Sequence, residues 1–217
     1  MKVYIAVPSM DTVSARFAQC LAQLVQESSK FADVEIGFNI GSLVYDSRNH
    51  LAEKAIASKA DYTFWIDSDM VFMPDTLKIM IDELEQNNLN MLTGVYYRRR
   101  PPYTTVIYEE FALRGGVIAR EYADVPTENG IIEVDGCGFG CVLMKTDILM
   151  NVLVSHGSFF SPLMNVGEDL SFCWRVRKCG FKIHCDPNLI LGHEGKLVIT
   201  KSNRGVFNGN VTKTASR

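Results

Sequence analysis

The chain has 217 residues, enough for one sizeable hydrophobic core and a small appendage. Apolar residues make up 47 %, and 22 basic against 25 acidic residues leave a formal net charge of −3. That balance excludes broad electrostatic capture of nucleic acid or an anionic membrane, and no apolar run approaches the length of a membrane-spanning helix.

From Lys196 onward the picture changes, because Lys196, Lys201, Arg204, Lys213 and Arg217 have no acidic residue among them. Six cysteines occur at 20, 137, 141, 173, 179 and 185, with no Cys-x-x-Cys pair. No secretory leader is expected before them. Reduced cysteines in the core of a cytoplasmic protein are therefore expected.

In chain order, Val3–Val7 predicts a first strand, and Pro8-Ser9-Met10 a loop after it. Apolar residues at Val13, Phe17, Leu21 and Leu24 predict a helix to about Gln26. Val34–Phe38 predicts a second strand, and Asp46 or Ser47 a cap for a helix through Ser58. The apolar run Tyr62–Ile66 predicts a buried strand. Asp75 opens a helix to Glu85, with Leu77, Met80, Ile81 and Leu84 on one stripe. Met91–Tyr97 predicts another strand. Strand–helix alternation over the first hundred residues predicts a mostly parallel α/β sheet flanked by helices. Thr104–Tyr108, Gly116–Arg120 and Ile131–Asp135 predict a small antiparallel extension. Gly140–Met144 follows as a strand, Asp147–Leu153 as a short helix, Gly167–Cys179 as a helix and Phe181–Cys185 as a last strand. The expected organisation is one domain over 1–195, followed by a basic tail or lid over 196–217.

The sharpest chemical signal is Asp67-Ser68-Asp69, directly after Tyr62–Ile66. Carboxylates leaving the C-terminal end of a buried strand stand where α/β sheets bind ligands. Spaced one residue apart, they can address one hard cation, Mg2+ or Mn2+, together with phosphate oxygens. His193, between Gly192 and Glu194-Gly195, has little packing role and makes chemical sense as a further ligand beside Asp69. Glu168 and Asp169 begin a predicted helix. Asp169 lies on the same side as Phe172, Cys173 and Val176, so it is either a helix cap or a carboxylate held at a cleft as a base.

Gly138, Phe139 and Gly140 lie in a glycine-rich passage, which is either a tight turn or an acceptor pocket formed by close backbone approach. Arg48 is a candidate phosphate contact and Asp46 a candidate base or ribose contact, with a surface arginine and a helix cap as the alternatives. Three consecutive arginines, Arg98 to Arg100, cannot all face one pocket. Arg98 is assigned to the substrate and the others to solvent. Lys196 and Lys201 are candidates to fold over a diphosphate and exclude water from an activated sugar.

Together, Phe64-Trp65-Ile66-Asp67-Ser68-Asp69, Gly138-Phe139-Gly140 with Leu143-Met144-Lys145, and Gly167-Glu168-Asp169-Leu170-Ser171-Phe172 resemble a glycosyltransferase of the GT-A fold, close to the family 2 type. The resemblance spans about residues 3–195 and implies a Rossmann-like sheet and a nucleoside diphosphate sugar donor, UDP above all. By resemblance, Asp69 and His193 would hold the metal, Asp67 would reach the ribose or the metal shell, and Ser68 would border the nucleotide. Pro8 and Ser9 would lie beside the nucleobase. Asp169 would be the base of an inverting transfer to a saccharide or other hydroxyl acceptor, with Glu168 beside it. Compact relatives occur in bacteria and their viruses, and modified DNA is among their acceptors. The rival readings are a metal-dependent nucleotidyltransferase and a non-catalytic nucleotide-sugar binding protein.

Overall fold

The computed structural model describes residues 1–41 and 43–195. Lys196 and Lys201, with the tail expected after them, lie outside the described residues.

Seven strands build the main sheet: β1 (Lys2–Ser9), β2 (Asp33–Ile40), β3 (Tyr62–Ile66), β5 (Met91–Val95), β8 (Ile132–Val134), β10 (Cys141–Lys145) and β11 (Ile183–Ile190). Their order is β2-β1-β3-β10-β5-β11-β8. β1 runs parallel to β2 and β3, and β5 runs parallel to β11. β10 is antiparallel to β3 and β5, and β8 to β11. The expected mostly parallel α/β sheet is present, with two reversed strands in it.

Period-two alternation sends side chains to two apolar layers. Val3, Ile5 and Val7 of β1 pack with Phe64 and Ile66 on one face, against α1 (Ala15–Ser28) and α3 (Thr76–Gln86). Tyr4, Ala6 and Trp65 face the other layer, covered by α2 (Val44–Ala57), α4 (Asp147–His156) and α5 (Glu168–Lys178). α1 starts where Ser14 Oγ accepts the Phe17 N–H at 3.0 Å, and it buries Phe17, Leu21 and Leu24. Five cysteines are buried, only Cys179 is partly exposed, and all six are free thiols.

Several expectations are corrected. Pro8 and Ser9 are not a loop but the end of β1, paired with Asn39 and Ile40. Proline fits there because Ser9 C=O accepts from Gly41 on the β2 side. The Pro8 nitrogen therefore faces the β3 side, where pairing has ended at Ala6–Trp65. Neither Asp46 nor Ser47 caps α2, which begins at Val44 behind Leu43 without a side-chain cap. The Ser47 hydroxyl instead accepts from Asn39 Nδ2 at 3.1 Å.

The antiparallel extension is divided. β6 (Ile107–Leu113) joins β7 (Val117–Glu121) and the two-residue β9 (Gly136–Cys137) in a separate sheet, whereas β8 edges the main one. A further two-stranded ribbon pairs β4 (Met70–Val71) with β12 (Gly192–His193). Strands of two residues carry no periodicity that a sequence could display.

Beneath the end of β3 lies an aromatic cluster. Phe139 is 1 % exposed and meets Trp65, Phe160 and Phe172 edge-on, at centroid separations of 5.8, 5.0 and 5.2 Å. Phe160 and Phe172 stack at 4.4 Å. Phe139 is therefore a core residue and not a substrate contact. Phe139→Ala is expected to cost about 3–5 kcal/mol in urea-induced unfolding. A cost below about 1 kcal/mol would contradict the placement of this ring.

Candidate functional site

Asp67 to Met70 form one tight turn, in which the Met70 N–H donates to the Asp67 carbonyl at 3.1 Å. The Asp67 N–H donates to the Gly140 carbonyl at 3.2 Å, which fixes the turn to the start of β10. The two carboxylates leave this turn in different directions. Asp67 Oδ1 and Oδ2 accept from Arg48 Nη2 at 2.9 and 3.2 Å. Asp69 faces His193.

Arg48 is 3 % exposed. Its Nε lies 3.3 Å from Glu168 Oε1, so one guanidinium from α2 holds the end of β3 and the start of α5 together. The Phe139 ring lies 5.4 Å below it, and Nη1 is buried without a hydrogen-bond partner. Burial disfavours its charge, but Asp67, Glu168 and Asp169 outweigh that and make the guanidinium harder to deprotonate. Arg48 is neither at the surface nor open to a phosphate. It is instead walled off by the carboxylates it orders. Asp67 is only partly exposed, and desolvation raises its pKa above the ordinary value in spite of Arg48.

The β4–β12 ribbon sets His193 opposite Met70, and the Glu194 N–H donates to the Asp69 carbonyl at 2.8 Å. The approach is close at Gly192, where a Cβ would lie 3.1 Å from Val71 Cβ. His193 Nδ1 donates to the Tyr97 carbonyl at 2.9 Å, leaving Nε2 3.5 Å from Asp69 Oδ2. Burial lowers the imidazole pKa, but the bonds to Asp69 and Tyr97 prevail and raise it. Burial likewise opposes ionisation of Asp69, and His193 and Arg99 outweigh it, so its pKa falls below the ordinary value.

No three His, Cys, Asp or Glu side chains among the described residues converge as a metal-ligating group. The expected set of Asp67, Asp69 and His193 is therefore reduced to the pair Asp69–His193, because Arg48 engages both oxygens of Asp67. That pair still fits a divalent ion. A carbonyl acceptor on Nδ1 orients the ring and turns Nε2 toward the carboxylate. One carboxylate and one imidazole suit Mn2+ when phosphate oxygens and water supply the remaining positions.

Asp169 sits in the first turn of α5, with Oδ1 accepting the Leu170 N–H at 2.7 Å. Phe172, Cys173 and Val176 on the same side are fully buried. Burial pushes its carboxyl up to about 6, and the neighbouring charge of Glu168 adds to the effect, against the Leu170 N–H and Arg48.

Two clefts flank Asp69. One is lined by Pro8, Ser9, Ser47, Asp67, Ser68 and Asp69. The other is lined by Tyr96, Arg98, Arg99, Arg100, Val106 and His193. All three arginines thus border one cleft, contrary to expectation, although Arg98 is engaged by Glu121 and by the Tyr108 hydroxyl. Asp46 is exposed and borders a separate depression with Asn39, Asn49 and Glu53.

Gly138 and Gly140 are buried and do not form an acceptor pocket. Their partner is Tyr96, whose hydroxyl would meet a Cβ on Gly138 at 2.4 Å and whose ring would meet one on Gly140 at 2.6 Å. The Tyr96 hydroxyl accepts the Gly140 N–H at 2.8 Å. Tyr96 was not singled out from the sequence. The glycine spacing was the available signal, and it marked a ring of the protein itself.

The description Glycosyl transferase family 2 belongs to a family model that matches residues 44–152, half of the chain. The chain belongs to glycosyl transferase family 2. The family 2 match takes in Arg48 and the Asp67–Asp69 turn and ends before Glu168, Asp169 and His193.

No curated protein sequence matches the chain. Solved structures do. A197 from STIV has a TM-score of 0.57 at 17 % identity, over 92 % of this chain and 97 % of that one. GalNAc-T7, solved with UDP, GalNAc and Mn2+, has a TM-score of 0.64 at 10 % identity, over 100 % of this chain and 46 % of its own. TarS 1–349 of S. aureus, in complex with UDP-GlcNAc, has a TM-score of 0.55 at 12 % identity, over 92 % and 60 %. The fold of this family 2 chain is the GT-A fold. Among the described residues no helix is long and apolar enough to cross a membrane.

Arg48→Met is expected to destabilise the protein by about 2–3 kcal/mol, because it leaves two partly buried carboxylates without their cation. Adding Asp67→Asn and Glu168→Gln should restore at least half of that loss. Chemical denaturation of the single and triple variants checks this. A silent single variant would contradict a buried, paired Arg48.

Proposed function

We propose that the chain is a metal-dependent glycosyltransferase that moves a sugar from a UDP-sugar to an acceptor hydroxyl with inversion. The observation that carries this reading is the meeting of Asp69 and His193, 124 positions apart in the chain, at 3.5 Å between the two clefts. The UDP and Mn2+ of the GalNAc-T7 structure and the UDP-GlcNAc of the TarS structure support the donor and metal classes.

In this reading the cleft beside Pro8, Ser9 and Ser68 takes the nucleoside, and Asp69 and His193 hold the metal. A bound divalent ion would offset the charge on the departing diphosphate. Asp67, immobilised by Arg48, addresses the ribose. Asp169 accepts the proton of the acceptor hydroxyl as its oxygen bonds to the anomeric carbon. The bond from that carbon to the diphosphate breaks, and UDP leaves with the electron pair. A carboxyl titrating near 6 is ionised at neutral pH, yet it is a stronger base than an ordinary aspartate. Glu168, engaged by Arg48, contributes its charge to that basicity. One domain over 1–195 carries these residues.

The test is release of UDP from a panel of UDP-sugars with Mn2+, with and without EDTA. Metal-dependent UDP release is expected, and Asp69→Ala should lower it by roughly 10²-fold. Release of pyrophosphate instead would mean nucleotidyl transfer. Tight UDP-sugar binding without turnover, across a broad range of acceptors, would mean a binding protein.

A further inference from the structure

Asp69 carries a second cationic contact besides His193. Arg99 Nη1 lies 2.7 Å from Asp69 Oδ2, the same oxygen that His193 Nε2 approaches at 3.5 Å. The carboxylate assigned to a divalent cation is therefore already covered by a guanidinium of the protein.

The surroundings select Arg99 for this place. Its neighbour Arg98 is turned toward Glu121 and Tyr108 on the β6–β7 hairpin. The base of the segment is fixed, because the Arg98 N–H donates to the Thr104 carbonyl at 2.9 Å and Tyr97 bridges Thr105. The Arg99 side chain, half-exposed and based on this fixed frame, can swing without moving the backbone. A half-exposed ion pair is weak and exchangeable. No second protein anion holds Arg99 among the described residues.

A metal–diphosphate brings both charges that this pair lacks. The cation can replace Arg99 on Asp69, and the phosphate oxygens can receive Arg99 in the basic cleft beside His193. After the exchange each protein charge again faces an opposite one. Guanidinium suits this second role, because its planar donors match phosphate oxygens. Nothing comparable happens with metal alone, which would evict Arg99 and leave it without a partner.

We infer that Arg99 is a tethered stand-in for the metal, which the metal–diphosphate displaces from Asp69 and which then binds the diphosphate. This rests on the metal site proposed above. Its consequence is coupling: metal and nucleotide each bind better when the other is present, by the same factor. The free protein is thereby kept from holding the ion without a donor.

The experiment measures Kd for Mn2+ alone by electron paramagnetic resonance, and for UDP with and without Mn2+ by calorimetry. The proteins are wild type, Arg99→Ala and the distant charge control Arg120→Ala. Arg99→Ala should bind Mn2+ alone about threefold more tightly, because a competing cation is gone. It should bind UDP in the presence of Mn2+ about tenfold more weakly, because a charged phosphate contact is gone. Arg120→Ala should shift neither.

Opposite signs for the two ligands are the signature, since a merely structural defect would weaken both. If Arg99→Ala leaves Mn2+ affinity unchanged or weakens it, or leaves UDP affinity intact, the inference is overturned while the metal site stands. If wild type binds no Mn2+ even with saturating UDP, the metal site falls, and this inference falls with it.

Discussion

One buried cation orders the functional end of this molecule. Arg48 has almost no contact with solvent, and it engages carboxylates from two distant parts of the chain. A charge in that position is tolerable because two carboxylates, both partly exposed, compensate it. Removing Arg48 leaves both carboxylates without their cation, whereas removing either carboxylate leaves the guanidinium with the other. The aromatic cluster of Trp65, Phe139, Phe160 and Phe172 forms the floor on which this cluster rests. Packing and electrostatics are thus joined at a single side chain.

Asp69 and Asp169, the carboxylates proposed for metal binding and proton transfer, lie outside the Arg48 pairs. Asp69 leaves the same turn as Asp67 but meets His193 and Arg99. Asp169 follows Glu168, yet only Glu168 is taken by Arg48, and Asp169 keeps a raised proton affinity. Each adjacent pair of acidic positions is therefore divided into a structural carboxylate and an available one. That division places Asp69 beside the cleft lined by Pro8, Ser9 and Ser68, and Asp169 at the N-terminus of α5.

The fold was largely legible because its strands are short apolar runs bounded by clear breaks. Tyr62–Ile66 illustrates this: five buried residues end at the very position where the acidic turn begins. Asp67 and Asp69 could be nominated for the same reason, since polar residues directly after an apolar strand have few structural uses; Asp169 is marked by its place on the buried side of a predicted helix, and His193 by its glycine neighbours. Arg48 could be noticed but not understood. A helix with a weak apolar stripe gives no sign of which face is buried, and its salt bridges reach 19 and 120 positions along the chain. The glycines of 138–140 leave a tight turn and a ligand pocket both open, because Tyr96, which fills that room, comes from just beyond the end of β5. The β4–β12 ribbon that delivers His193 is two residues long on each side, so only tertiary structure reveals it.

The account centres on Asp169 as the group that removes the acceptor proton. The most direct measurement is the pH dependence of kcat for sugar transfer at saturating donor and metal, for wild type and Asp169→Asn. A carboxyl titrating at about 6 must lose its proton to act, so kcat should fall about tenfold per pH unit below pH 6 and level off above pH 7. Asp169→Asn should lose that limb and at least 10²-fold in kcat while keeping UDP affinity. A flat wild-type profile from pH 5 to 7, or an Asp169→Asn variant with undiminished turnover, would contradict the account.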